Sequence, residues 1–244
     1  SGRRVASCSS ATRNGLPAAP APRLAAPAPG APSAAASGVA GVHARVAGGV
    51  PGDAADDATG VAAILEAVRA IKARGGAERT LVVLFTDAEE LNLDGARAFF
   101  SEHPLRDHIG AVINLEARGG GGRAMMFETG PGNAQTIARY AQATQRATGG
   151  PSSNALAIFV YRLMPNGTDF TVTADRKLAG INLAFIGRPA QYHAPSSTPQ
   201  ALDQGSVQHI GSQALEMTDA LLRAGALPAV SYDTVYADLF GRVV

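Results

Sequence analysis

The most informative segment of this sequence is Leu81-Val82-Val83-Leu84-Phe85-Thr86-Asp87-Ala88-Glu89-Glu90. Its first half is a short apolar run, rich in β-branched residues and ending in an aromatic one, which predicts a buried β-strand. Glu89 and Glu90 then follow at the carboxyl end of that strand, where open α/β sheets place their ligands. Adjacent residues at a strand end need not point the same way, so one carboxylate can hold a metal while the other faces a substrate. Hydrolysis by a metal-bound water needs that pair of roles.

Acidic pairs after strands are also common as solvated loop residues, so the rest of the chain must decide between the two interpretations. The 244 residues are 46% hydrophobic, which is enough for a sizeable core, and they suggest one domain. The formal net charge of +1 indicates neither a nucleic-acid partner nor an anionic membrane. The single cysteine, Cys8, excludes an internal disulfide framework and a cysteine-ligated zinc site. No apolar run of about 18 residues is present, so no membrane span is predicted.

Composition divides the chain into three parts. Residues 1–52 contain five of the 21 basic residues and none of the 20 acidic ones. We expect residues 1–40, which are rich in Ala, Pro, Ser and Gly, to be disordered. We expect the folded domain to occupy 41–225 and a C-terminal tail to occupy 226–244.

Strands and helices alternate along the domain. Residues 42–50 are weakly strand-like, and apolar residues at helical spacing predict a helix over 61–71 that Asp57 or Thr59 is placed to cap. Further strands are predicted at 111–116, 124–128 and 181–186, and helices at 95–102, 133–147 and 204–222, while residues 155–164 are ambiguous. This alternation predicts an α/β three-layer sandwich with a mixed, mostly parallel central sheet between helices.

Other chemistry-bearing residues also lie at the ends of predicted elements. Asp56 and Asp57 precede the first helix, Glu116 ends the strand at 111–116, and His193 follows the strand at 181–186. Each alone has an ordinary explanation, namely a helix cap, an exposed strand end or a loop histidine. Together they fall where an α/β sheet gathers its site, and carboxylates with one neutral imidazole suit Zn²⁺.

Four segments, in this order, resemble the motifs of the co-catalytic zinc aminopeptidases, metallopeptidase family twenty-eight. They are Asp56-Asp57-Ala58-Thr59-Gly60-Val61-Ala62, Phe85-Thr86-Asp87-Ala88-Glu89-Glu90, Asn114-Leu115-Glu116 and Tyr192-His193-Ala194-Pro195. The resemblance covers roughly residues 51–222. It is strongest to the branch of vacuolar and endoplasmic-reticulum metallopeptidases and their bacterial relatives, which Leu115-Glu116-Ala117-Arg118-Gly119 and Pro165-Asn166-Gly167-Thr168-Asp169-Phe170 resemble. Residues 233–241 resemble a segment that precedes membrane helices in that branch, so the resemblance implies an extracytoplasmic or membrane-anchored protein.

The resemblance implies metal ligands. Asp56 would bridge two Zn²⁺ ions, Glu90 and His193 would complete one site, and Glu116 would bind the other ion. Asp57 and Asp87 would orient ligands and loops.

The resemblance also implies catalytic and substrate-binding roles. Glu89 would be the general base, which takes a proton from the attacking water and returns it to the leaving amine. Tyr192 would donate a hydrogen bond to the oxyanion of the tetrahedral intermediate. Asn166 and Asp169 would line the substrate cleft.

The second metal site departs from the family pattern. The family has a further ligand, a His in a His-x-Asp motif about twelve residues before the bridging Asp, and that count reaches Ala44 here. His43 lies one position away, and Arg45 stands where the motif's Asp would follow. The resemblance therefore implies two zinc ions per chain if His43 is a ligand and one if it is not. The family's early strands are also not recognisable before Asp53, and their loss would expose a sheet edge.

The sequence therefore predicts a zinc exopeptidase of the aminopeptidase type, with peptides as substrates and no nucleic-acid partner. Two alternatives stay open. Glutaminyl cyclases share this fold and use a single zinc with Asp, Glu and His ligands, and the same clan includes peptidase-like ectodomains without catalytic activity.

Overall fold

Strands with apolar residues on both faces form the centre of the computed structural model, as expected for a sheet that helices cover on both sides. The structure describes residues 6–8, 39–45, 54–165, 167–240 and 242–243, and for 6–8 and 39–45 it describes the backbone. The sheet strands are β1 Ala6–Cys8, β2 Val39–Arg45, β3 Leu81–Thr86, β4 Ile109–Ala117, β5 Met125–Thr129 and β6 Ala179–Phe185. The helices are α1 Thr59–Ala73, α2 Asp94–Glu102, α3 Ala134–Ala143, α4 Ala155–Arg162, α5 Asp169–Asp175 and α6 Gln204–Leu222.

The strand order in the sheet is β1-β3-β2-β4-β6-β5. Strands β1 to β4 and β6 pair in parallel, and β5 runs antiparallel to β6, which confirms the predicted mixed, mostly parallel sheet. The expectation of missing early strands is corrected here. Strand β2 lies in the interior of the sheet, where Val42 pairs in register with Val83 of β3 and Ile113 of β4.

The two faces of the sheet carry separate apolar clusters, because successive strand residues point to opposite faces. Val83, Ile113 and Ile181 belong to the cluster that includes buried residues of α1, α3 and α6. Val82 and Val112 belong to the cluster that includes buried residues of α2 and α5. Each fully buried aliphatic side chain contributes about 1.5–3 kcal/mol, so the two clusters fix the sheet in the middle layer.

Most predicted elements lie where the sequence placed them. Helix α6 has the predicted bounds, and the Asp203 carboxylate caps it by accepting the Ser206 N–H at 2.8 Å. The Asp57 carboxylate accepts the Gly60 N–H at 2.9 Å, as its capping position predicts. The helix predicted at 133–147 ends earlier, at Ala143, and continues as a short turn. The ambiguous residues 155–164 contain helix α4.

The two predicted terminal segments, residues 1–40 and 226–244, have different outcomes. The predicted disordered segment 1–40 lies outside the described residues, apart from 6–8 and 39–40, which are strand. The described part of 226–244 packs on the domain, since Tyr236 is buried and the Ala155 N–H donates to its carbonyl oxygen at 2.9 Å. A small hairpin of β7 Asp238–Leu239 and β8 Arg242–Val243 follows. Within the described residues, no helix combines the length and apolar character needed to cross a membrane.

Candidate active site

Three of the predicted metal ligands meet at the carboxyl edge of the sheet. Nε2 of His193 lies 3.1 Å from Oδ2 of Asp56 and 2.9 Å from Oε1 of Glu90. One ligand atom from each of the three residues lies within 4.8 Å of the other two. Two carboxylates and one imidazole form a zinc donor set that leaves a coordination position for water or substrate. The residues present therefore fit the Zn²⁺ that the sequence predicts.

Asp56 is held by the segment that leads into α1. Asp56 is 2% exposed, and the peptide bond between Asp56 and Asp57 is cis. Just before it, the Ala54 N–H donates to the Ser197 carbonyl oxygen at 2.8 Å, which ties this segment to the loop that carries His193. A Cβ atom at Gly60 would lie 2.2 Å from Oδ2 of Asp57, so a larger residue there would displace the Asp57 carboxylate.

Glu89 and Glu90 lie in a tight turn between β3 and α2. Ala88 and Leu93 adopt left-handed backbone conformations, with φ of 55° and 60°. The turn is closed by the Leu93 N–H, which donates to the Glu89 carbonyl oxygen at 2.8 Å. Both glutamates line one cavity, but only Glu90 belongs to the three-residue cluster with Asp56 and His193.

Glu116 lines the same cavity from the end of β4. Its Oε1 atom accepts a hydrogen bond from Nδ2 of Asn114 at 2.8 Å. Burial raises the pKa of Glu116 well above the ordinary glutamate range, and the charges of Asp57, Asp56 and Glu89 raise it further. Acids gathered this closely are what a bound divalent cation compensates, since the cation becomes the largest local charge.

Two buried asparagines connect Glu116 on β4, through β6, to Glu128 on the edge strand β5. Nδ2 of Asn114 also donates to Oδ1 of Asn182 at 3.0 Å, and Nδ2 of Asn182 donates to Oε2 of Glu128 at 3.0 Å. Nδ2 of Asn182 also donates to the Thr168 hydroxyl at 2.9 Å. No role was predicted for these residues from the sequence, although Asn114 and Thr168 lie in segments that resemble the family motifs. The sequence signal is an asparagine inside each of two mostly apolar strands, a position that needs a buried hydrogen-bond partner.

The cavity beside the cluster of Asp56, Glu90 and His193 has a volume of about 290 Å³. Besides the four acids, its described lining comprises Ala117, Arg118, Phe127, Tyr161, Gly167, Thr168 and Tyr192. Phe127 and Tyr161 meet edge to face with ring centroids 4.7 Å apart. Burial raises the pKa of Tyr161, the charges of Glu128 and Glu116 add to the rise, and the charge of Arg118 opposes it.

The ring of Tyr192 contacts the side chains of His193 and Arg118. It stacks on the His193 imidazole with centroids 3.8 Å apart and planes 20° apart. The guanidinium carbon of Arg118 lies 5.2 Å from the centroid of the same ring. The loop that carries Tyr192 also packs on the glycine-rich loop after β4, where the Gly121 N–H donates to the Gly187 carbonyl oxygen at 3.2 Å.

Three other predicted site residues have different outcomes. The backbone of His43 lies in β2, in register with Leu84 and Asn114, and its side chain lies outside the described part of the structure. Asn166 also lies outside the described residues. The prediction for Asp169 is corrected. Its residue is 1% exposed and its Oδ2 accepts the Thr86 hydroxyl at 2.6 Å, so this carboxylate is buried at the start of α5 rather than presented to a cleft.

Comparison with known sequences identifies the family of the chain. Residues 40–218 match the family model described as Peptidase family M28. The chain is similar to human endoplasmic reticulum metallopeptidase 1, with 32% identity over 199 residues that cover 78% of this chain and 22% of that protein. It is also similar to the vacuolar membrane protease of Eremothecium gossypii, with 34% identity over 189 residues that cover 78% of this chain and 18% of that protein. The chain thus spans about a fifth of the length of these relatives.

Solved structures with the same fold include an aminopeptidase from Aneurinibacillus sp. strain AM-1 and a glutaminyl cyclase from Porphyromonas gingivalis. The first has a TM-score of 0.57 at 17% identity and covers 80% of this chain and 47% of that chain. The second has a TM-score of 0.56 at 17% identity and covers 75% of this chain and 73% of that chain. Both likenesses concern the fold, and they confirm the predicted α/β sandwich.

Proposed function

Because the chain belongs to peptidase family M28, we propose that it is a zinc-dependent exopeptidase that hydrolyses N-terminal peptide bonds. The observation that carries this proposal is the meeting of Asp56, Glu90 and His193 beside a cavity that Glu89 also lines. The names of two relatives, endoplasmic reticulum metallopeptidase 1 and vacuolar membrane protease, support an extracytoplasmic or membrane-anchored location for the parent protein.

Asp56, Glu90 and His193 would hold one Zn²⁺. A second Zn²⁺ would be held by Glu116 and Asp56, with His43 as the candidate for the remaining protein ligand. When bound, zinc polarises the scissile carbonyl and lowers the pKa of the attacking water.

The remaining chemistry falls to the side chains around the cavity. Glu89 takes the proton of the attacking water and delivers it to the nitrogen of the leaving amine, so it has to stay off the metal. Tyr192 donates a hydrogen bond to the substrate oxygen as the carbonyl carbon becomes tetrahedral. The stack on His193 orients the ring of Tyr192, and the Asn114 amide orients the Glu116 carboxylate.

Zinc content measured by mass spectrometry on the purified full chain tests the metal centre. We expect two zinc ions per chain, falling to one in His43→Ala, and a marked loss of zinc in His193→Ala. One zinc in both the wild type and His43→Ala would restrict the protein to a single-metal site. Absence of zinc from the folded wild type after incubation with the metal would overturn the proposal.

Activity on two substrates separates the alternative functions. We expect the zinc-loaded protein to release the chromophore from leucine p-nitroanilide and to leave a peptide with N-terminal glutamine uncyclised. Cyclisation without release would assign a glutaminyl-cyclase reaction instead. Neither reaction in folded, zinc-loaded protein would favour a non-catalytic ectodomain.

A further inference from the structure

We propose that Arg118 binds a carboxylate of the substrate one or two residues from the bond that is cut, which makes short peptides with a carboxylate at that place the preferred substrates. This inference rests on the proposed exopeptidase function and names its substrate class.

Arg118 is built into the site by the strand that supplies a predicted metal ligand. It follows β4 directly, two residues after Glu116, and its backbone N–H donates to the Phe185 carbonyl oxygen at 3.0 Å. This hydrogen bond fixes the backbone of Arg118 against the end of β6. Among the described residues that line the cavity, Arg118 is the one cation, and the four acids Asp56, Glu89, Glu90 and Glu116 share the lining with it.

The distance from the metal ligands sets the reach of Arg118. Its guanidinium carbon lies 5.2 Å from the Tyr192 ring centroid, and that centroid lies 3.8 Å from the His193 imidazole. The two steps together are shorter than three residues of extended chain, at ~3.3 Å per residue. If the scissile carbonyl of a peptide lies beside His193, a group one or two residues away along the peptide can therefore reach Arg118.

The chemistry of the guanidinium selects a carboxylate as that group. The N–H donors of a guanidinium lie in one plane and form paired hydrogen bonds with a carboxylate. A cavity of about 290 Å³ is also small, close to the ~300 Å³ lower end of small-ligand pockets. Both features favour a short peptide over a long chain that continues through the site.

Two sources of the carboxylate are chemically equivalent for Arg118. One is the free C-terminus of a dipeptide, and the other is the acidic side chain of the residue after the cleaved bond. Three substrates separate these sources: Leu-Gly, Leu-Gly amide and Leu-Glu amide. The first has a free C-terminus, the second has neither carboxylate, and the third has only the side-chain carboxylate.

The test measures kcat/KM for the three substrates with the zinc-loaded full chain. We expect Leu-Gly, Leu-Glu amide or both to exceed Leu-Gly amide by about 10- to 100-fold, because a hydrogen bond to a charged group contributes about 1.5–3 kcal/mol. In Arg118→Gln this preference disappears, because the carboxylate-bearing substrates lose more kcat/KM than Leu-Gly amide does. Arg69→Gln is the matched control, since Arg69 is an exposed arginine on α1 that pairs with Glu66, and it keeps the wild-type preference.

Equal kcat/KM for the three substrates in the wild type would overturn the inference. An equal loss for all three in Arg118→Gln would also overturn it, because Arg118 would then act only by positioning Tyr192.

Binding distinguishes a failure of this inference from a failure of the proposed function. Calorimetry with Glu89→Gln measures the dissociation constants of the three peptides without turnover. We expect a carboxylate-bearing peptide to bind at least about 10-fold more tightly than Leu-Gly amide, and Arg118→Gln in the same background to remove the difference. If these affinities are observed but the zinc-loaded wild type hydrolyses none of the three peptides, the carboxylate site stands and the exopeptidase function is rejected. Equal affinities, or no binding of any peptide, would reject the carboxylate site.

Discussion

At the scale of single residues, the proposed roles of the neighbours Glu89 and Glu90 can be tested separately. Glu90 contacts His193 at 2.9 Å, and Glu89 lines the cavity outside the three-residue cluster. We expect Glu89→Gln to lower kcat/KM by about 10²–10⁴-fold, the usual contribution of a general base. Zinc content should stay at the wild-type value, because Glu89 lies outside the proposed ligand set of Asp56, Glu90 and His193.

Glu90→Gln is the matched comparison for that variant, since it makes the same change one residue along the same turn. We expect it to lose zinc as well as activity. The assignment of Glu89 as the base is wrong if Glu89→Gln loses zinc to the same degree. Far-ultraviolet circular dichroism of both variants checks that the fold is intact.

The sequence predicted the three clustered ligands because each belongs to a motif that places a carboxylate or imidazole at an element end. The prediction for Asp169 was wrong because the same motif is compatible with a carboxylate that faces a cleft and with one that is buried. Here the carboxylate accepts a hydrogen bond from the buried Thr86 hydroxyl. No role was predicted for Asn114 and Asn182, because their contribution to the site depends on a cross-strand hydrogen bond at 3.0 Å. Such a bond depends on the pairing of β4 with β6, which no local pattern specifies.

At the scale of elements, the glycine-rich loop after β4 acts as a platform for the loop that carries Tyr192 and His193. A Cβ atom at Gly119 would lie 2.2 Å from the Gly187 carbonyl oxygen, a backbone atom that cannot move alone. We expect Gly119→Ala to push the two loops apart, with a stability loss of about 1–3 kcal/mol. Because His193 moves with its loop, zinc affinity should fall by about 10-fold or more.

Gly225→Ala is the control for this prediction, since a Cβ atom at Gly225 would meet no atom within 4 Å. Competition with a chelator gives the zinc affinity of both variants, and chemical denaturation gives their stability. Unchanged zinc affinity in Gly119→Ala would show that the two loops do not need this close contact.

Elements were predictable where burial produces a periodic pattern. Helix α6 has one apolar face packed on the sheet and a capping Asp203, so both its bounds were read correctly. Helix α4 was ambiguous because its apolar side chains include Leu156 and Phe159, which are 70% and 60% exposed. A helix whose apolar residues face outward does not show the one-sided pattern on which such predictions depend.

At the scale of the whole molecule, buried polar side chains connect α6 to the sheet, and their contacts depend on their protonation. His209 on α6 is the clearest of these, since its residue is 6% exposed. Its Nδ1 accepts the Ala124 N–H at 3.0 Å, and its Nε2 lies 2.8 Å from the Gly150 carbonyl oxygen. This pattern fits the neutral imidazole with its proton on Nε2, because a proton on Nδ1 would oppose the Ala124 N–H.

The position of His209 predicts how stability depends on pH. Burial lowers the pKa of His209 below its ordinary value of 6.5, the bond to Gly150 opposes the shift, and the charge of Arg123 adds to it. The unfolded chain therefore binds the proton more readily than the folded chain. The stabilisation is fully present above pH 6.5 and is lost as the pH falls from 6.5 towards the lowered pKa of the folded state.

His209→Gln tests this dependence by removing the titrating group. We expect the variant to be less stable than the wild type at pH 7.5, and the difference to shrink by up to about 1.4 kcal/mol per pH unit below the ordinary histidine pKa. Burial also lowers the pKa of His103, but both proteins contain His103, so its contribution cancels in the difference. Urea denaturation at a series of pH values measures the two free energies of unfolding. A difference that stays constant, or that grows as the pH falls, would mean that the folded protein accepts a charged imidazole at this contact and that α6 is not held to the sheet edge by a neutral histidine.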